Sequence, residues 1–85
     1  MKDDLLPIGT VVIIKNGVNK VFVSGFKAKV NSGKCYDYVG FPYPEGFISR
    51  EMTLLFNHEQ IDKIYYMGYV DEEEKKFKKW LSEEK

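Results

Sequence analysis

Apolar and polar positions alternate along most of this chain, and the period lengthens to a helical one only near the C-terminus. Thr10 to Lys15 (TVVIIK) places β-branched residues on both faces of an extended segment, which predicts a strand covered on both sides or lining a small closed barrel. Asn16-Gly17 follows at once, the dipeptide best suited to the positive φ angles of a type I′ hairpin. The return strand, Lys20 to about Lys29, alternates Val21 and Val23 on one face with Phe22 and Phe26 on the other. Ser24-Gly25 in its middle predicts a bulge or sharp bend, and Asn31-Ser32-Gly33 the next turn.

A third strand, KCYDYVGF, sets Tyr36 and Tyr38 on one side against Cys35, Asp37 and Val39 on the other. Phe41 to Gly46 (FPYPEG) is expected to be a rigid, partly polyproline-like loop and not central strand. Each proline there removes a ladder donor and restricts the residue before it. Phe47 to Phe56 reads as another strand kinked near Arg50-Glu51, and Asn57 as the N-cap of a short turn through His58-Glu59-Gln60. Asp62 to Tyr69 predicts the last strand, although Ile61, Ile64 and Tyr65 are also spaced as on a helix.

The final element carries the strongest local signals. Asp71 and Glu74 have the spacing of a capping box, acids occupy 71–74, and lysines follow at 75, 76, 78 and 79, with Glu72–Lys76 and Glu74–Lys78 at i, i+4. Val70, Phe77, Trp80 and Leu81 form a narrow apolar stripe that must dock on the sheet or on a partner protein. The elements together predict a mainly β, α+β chain: a small antiparallel, strongly bent sheet or SH3-like partial barrel of about five strands, with a C-terminal α-helix. One domain, 1–85, is expected, with a β core over about 8–69 and the helix over about 71–83.

Charge changes the picture in one respect. Thirteen basic and thirteen acidic residues cancel to a net charge of zero, which argues against a uniformly basic nucleic-acid surface and against a polybasic membrane anchor. The two signs are nevertheless segregated along the chain. Leu5 to Tyr36 carry five lysines and no acid, whereas Asp37 to Glu74 carry nine acids against only Arg50 and Lys63. Opposed surface potentials of this kind suit the orientation of a protein partner. The apolar N-terminal stretch LLPIGTVVII lacks the other parts of a signal peptide, and no run reaches membrane-span length, so a cytoplasmic protein without membrane insertion is expected.

Candidate chemistry is sparse. The single cysteine, Cys35, is expected to be a small core or sub-surface residue, and with one histidine there is no Cys/His set for zinc. His58 lies beside Glu59 and Asp62, but no nucleophile motif accompanies it, so capping or polar packing is its expected duty. Asp37, Glu45, Glu51, Glu59 and Asp62 lack calcium-loop or glycosidase spacing, and the glycines form no phosphate-binding motif. No enzyme activity, metal or cofactor is therefore expected.

The aromatic residues remain. Tyr36, Tyr38, Tyr43, Tyr65, Tyr66 and Tyr69 could stack single-stranded nucleic acid with Lys27, Lys29 and Lys34 nearby. The tyrosine-bearing segments are the acidic ones, however, which disfavours that reading. Tyrosine and proline together more often make a rigid protein-recognition surface, here Tyr36, Tyr38, Phe41, Pro42, Tyr43, Pro44 and Phe47, with Trp80 on the helix.

Four stretches, LLPIGTVV (5–12), YDYVGFPYPEGF (36–47), LLFNHEQID (54–62) and MGYVDEEEKKF (67–77), resemble a family of small Gram-positive bacterial proteins described as a domain of unknown function. That family is found in gene neighbourhoods of type VII secretion and its polymorphic toxins. The resemblance implies a one-domain cytoplasmic protein of a secretion-associated operon and brings no catalytic residues to carry over. Trp80 is followed by Leu81-Ser82, so the chain does not resemble the small WxG substrates of that pathway. Tyr69 and Glu73 fit a loose YxxxD/E export pattern, of which about one match is expected by chance in such a composition. The function implied is a non-enzymatic adaptor or chaperone-like partner of a secreted effector or of its small helical partners, with homo-oligomerisation left open. The alternatives are an immunity or regulatory protein of the same locus and a nucleic-acid-binding small β-barrel.

Overall fold

The alternating segments become five strands in the computed structural model, which describes residues 5–83. They are β1 (Val11–Ile14), β2 (Val21–Lys29), β3 (Cys35–Pro42), β4 (Leu54–Phe56) and β5 (Ile61–Tyr66), followed by α1 (Glu72–Glu83). All neighbours are antiparallel, in the order β4-β3-β2-β1-β5, so this is a mainly β, α+β fold with a C-terminal helix. Short 3-10 turns occupy Arg50–Met52 and His58–Gln60, the second with Asn57 at its N-cap position as expected.

The bulge expected at Ser24-Gly25 is present, and it alters the facing of β2. Val23 lies opposite Gly40 and Gly25 opposite Val39, which leaves Ser24 without a partner position. One unpaired residue resets the alternation of the strand. Phe26 therefore stands opposite Tyr38 on the side of Val21 and Val23, and only Phe22 keeps the other face. The expectation that Phe22 and Phe26 share a face is corrected by the very bulge that the sequence signalled.

The inner face holds the core: Val12, Val21, Val23, Tyr38 and Phe56 are buried, capped by Leu5 and Leu6 from the N-terminal segment and by Leu81 from α1. Polar groups in this layer are partnered. The buried Thr10 hydroxyl donates to Pro7 O at 2.7 Å and accepts from Gly68 N at 2.9 Å. Gly68 is required there, because a Cβ would lie 2.0 Å from Ile8 O.

Four further expectations change. Asn16-Gly17 does not form a two-residue hairpin: β1 and β2 last pair at Val12 and Val21, and the chain then follows β5, with Lys15 N donating to Gln60 O at 2.8 Å. Asn16 alone takes a positive φ, of 68°, in a turn closed by Gly17 N and Ile14 O. Pro42 belongs to β3, continuing the strand past Phe41, and not to the loop. Tyr43 N donates to Lys20 O at 2.9 Å, so in the antiparallel alternation the nitrogen of Pro42 points away from β2, toward the side where β4 pairs only as far as Gly40. In the 47–56 stretch only Leu54–Phe56 are strand, because Met52 N and Thr53 N turn back to Ser49 O and Arg50 O. Cys35 is exposed at the start of β3, not sub-surface.

The helix docks more thinly than its stripe suggests. One half of the expected capping box is formed, Glu74 N donating to Asp71 Oδ1 at 3.0 Å, while the Glu74 carboxylate pairs with Lys78 at 3.0 Å. Leu81 is buried, but Val70, Phe77 and Trp80 stay about half exposed. Two lysines clasp the helix: Lys27 Nζ donates to Leu81 O at 2.6 Å, and Lys78 Nζ donates to Leu5 O. No helix of the described residues is long and apolar enough to cross a membrane.

Candidate functional site

Strand parity places the second set of apolar side chains on the sheet face opposite the core. Register aligns four of them in one row across four strands: Tyr66 of β5 opposite Val11 of β1, Val11 opposite Phe22 of β2, and Phe22 opposite Phe41 of β3. The Phe22 and Phe41 rings are 6.1 Å apart, and Phe47, returning from the loop after β3, meets Phe41 edge-on at 5.3 Å. These are favoured aromatic geometries, and they brace Phe47 although it remains 62% exposed.

The next row is Lys20 beside Tyr43, joined by the Tyr43 N to Lys20 O bond. The Lys20 ammonium lies 4.8 Å from the Tyr65 ring centre and 6.0 Å from that of Tyr43, while Lys63 approaches Tyr65 at 5.0 Å. Ammonium groups at such distances are attracted by the negative ring faces. Tyr43, Tyr65, Tyr66, Phe22 and Lys20 wall an open groove of about 550 Å³, floored by Gly9 and Val11.

The residues expected to form a recognition surface separate in three dimensions. Phe41, Tyr43 and Phe47 lie on the outer face, with Pro44 exposed beside them. Tyr38 is a correction: it is fully buried on the inner face, stacked on Phe56 at 5.2 Å, and presents no surface to a partner. Tyr36, half-buried, follows it on the inner face with Lys34 over its ring at 5.9 Å. Pro42 lines a smaller groove of about 340 Å³ with Ile14, Leu54, Glu45 and Glu51. Trp80 borders a third groove, between helix and sheet, stacked on Phe77 at 5.9 Å. Reading the sequence for a Tyr/Pro loop missed Phe22, Lys20, Tyr65 and Tyr66 as its companions. The outward parity of Phe22 was the available signal, and register supplies the rest.

His58 has a structural partner. Leu6 N donates to the Tyr38 hydroxyl at 2.9 Å, and the hydroxyl shares a second hydrogen bond with His58 Nδ1 at 2.6 Å. Burial pushes the Tyr38 phenol up to about 12; the Leu6 bond opposes this and the Asp37 charge adds to it. Asp37 is drawn in as well, its Oδ2 accepting from His58 N at 2.9 Å and its N–H donating to Asn57 Oδ1 at 3.1 Å. The cluster ties the N-terminal segment and the 3-10 turn to the core. Among the described residues, no group of three or more His, Cys, Asp or Glu side chains converges as metal ligands do.

A family profile described as a domain of unknown function (DUF4176) matches residues 5–77. It takes in all five strands and every residue of the outer aromatic face, and ends at Phe77, before Trp80 and Leu81. No curated protein and no solved structure matches the chain.

Proposed function

The chain belongs to the DUF4176 family, and from that membership and its outer aromatic face we propose that it is a non-enzymatic protein-binding accessory domain. In its specific form, the proposal is an adaptor or chaperone-like partner, acting in the cytoplasm, for an effector of a type VII secretion locus. The observation that carries the binding reading is the row Tyr66–Val11–Phe22–Phe41 with Tyr43, Tyr65 and Phe47 around it. The sheet is stabilised from its other side, where Leu5, Leu6 and Leu81 cover the core, so the rings are not needed to close the fold. Rigid amphipathic rings lose little entropy on contact, which is why they are enriched at interface centres. The non-enzymatic part is supported by the use of His58, the single histidine, in the Tyr38–Leu6 cluster.

The test is co-expression of the full chain with the N-terminal region of the effector encoded beside it, followed by affinity capture and comparison with Phe22→Ala and Tyr43→Ala. A complex lost in both variants is expected. Failure to form a complex with any protein encoded at the locus would sink the adaptor reading.

A further inference from the structure

The groove around Lys20 narrows what kind of segment the outer face takes. Its walls are rings, and among its described lining residues Lys20 carries the only full charge. Outside the lining, Lys63 brings a second ammonium within 5.0 Å of the Tyr65 ring centre. The groove thus sets Lys20, from the lysine-bearing stretch Leu5 to Tyr36, against Tyr43, Tyr65 and Tyr66 of the acidic stretch Asp37 to Glu74, and none of the acids of that stretch lines it. Ring contacts hold Lys20 in place before any ligand arrives, so less side-chain entropy remains to be lost when it pairs with an anion.

We infer that this groove binds an extended, acidic segment of a partner protein, with a carboxylate on Lys20 and apolar or proline side chains against Tyr43, Tyr65 and Tyr66. This rests on the protein-binding reading above. The size fits: four strands about 4.8 Å apart span roughly 14 Å, the length of about four residues of extended chain. A carboxylate held by an ammonium between rings makes a charge-assisted bond in partly desolvated surroundings, where such bonds are strongest. Single-stranded nucleic acid is the less suited anion, because its successive phosphates need a track of cations and Lys20 is the one cation among the groove's described lining residues.

The experiment is selection of a random linear dodecapeptide library, displayed on phage, against the full chain. Recovered peptides are then synthesised and titrated into wild type, Lys20→Glu, Tyr65→Ala and Phe22→Ala, with circular dichroism to show that each variant is folded. Peptides rich in Asp or Glu are expected, with affinity falling at least about tenfold in Lys20→Glu and recovering when the peptide acids are exchanged for lysine. Neutral or basic peptides that lose binding in Phe22→Ala but not in Lys20→Glu would overturn the acidic ligand while leaving the protein-binding face intact. No enrichment at all would overturn both. Two further arms compete with the proposal: Lys20-dependent binding of labelled oligo-dT or oligo-rU would assign the groove to nucleic acid, and Lys20-dependent dimerisation in sedimentation would assign it to a second copy of the chain. Either result would overturn the inference.

Discussion

The Tyr38 hydroxyl is the most informative single atom to remove. Tyr38→Phe keeps the ring against Phe56 at 5.2 Å and Phe26 at 6.1 Å, but it strips the acceptor from Leu6 N and the hydrogen-bond partner from His58 Nδ1. His58 is exposed and can turn to water; the amide of Leu6, a buried residue, cannot. A buried donor left without a partner costs about 1–3 kcal/mol, which at about 4–8 °C per kcal/mol for a domain of this size is a large fall in Tm. The second signature lies in pH. A phenol whose pKa is about 12 folded and about 10 unfolded holds its proton more tightly in the folded state. Its contribution is therefore complete below pH 10 and is lost as pH climbs to about 12. Two pKa units correspond to roughly 2–3 kcal/mol, with about 1.4 kcal/mol already gone at pH 11. Urea unfolding followed by circular dichroism at pH 7 and pH 11 measures both effects. The variant should be less stable at pH 7 and the gap should narrow at pH 11. A difference below about 0.5 kcal/mol at pH 7, or equal alkaline losses in the two proteins, would refute the assignment of the hydroxyl as a buried clasp.

Thr10→Val removes a donor to Pro7 O and an acceptor for Gly68 N at once, and should cost roughly 2–4 kcal/mol in the same urea assay; a loss under about 1 kcal/mol would mean that water replaces both bonds. Gly40→Ala places a Cβ 2.7 Å from Phe22 O and 2.8 Å from Val21 Cγ1, so a fall of roughly 1–3 kcal/mol is expected, and an unchanged midpoint would show that β2 and β3 can separate there freely. Lys27 has a φ of 50°, a left-handed conformation that glycine adopts without strain. Lys27→Gly should therefore be more stable than Lys27→Ala by roughly 1 kcal/mol, the reverse of the usual order within a strand; the usual order would count against strain at this position.

Much of the sheet was legible because period-two alternation and its interruptions are local. The bulge was readable from Ser24-Gly25, and the helix from Asp71 and the charges after it. What escaped depends on distant neighbours. Pro42 is strand because the pairing of β4 with β3 ends at Gly40, which nothing in YDYVGFPYPEG records. Tyr38 is core, not surface, because Leu6 and Phe56 arrive from 32 residues before and 18 after to cover its face. Lys20 becomes part of an aromatic groove only when register sets it beside Tyr43 and brings Tyr65 of β5 across β1. Alternation tells which side chains share a side, but which side is dry follows from what folds over it.

The unpaired position at Ser24 also determines where this protein can change length. With Ser24 removed, Val23 would be followed by Gly25 and Phe26 in plain alternation, and every side chain of β2 would keep its present side. Removing Phe26 instead would send Lys27 into the place of an inward ring. β2 therefore contains one residue that is spare in phase, set between a half that serves both faces and a half that serves the helix. Shortening of this chain is expected to be tolerated at that residue and to disrupt the fold elsewhere in the strand. Recovery of folded protein from the two single-residue deletions would show whether it does.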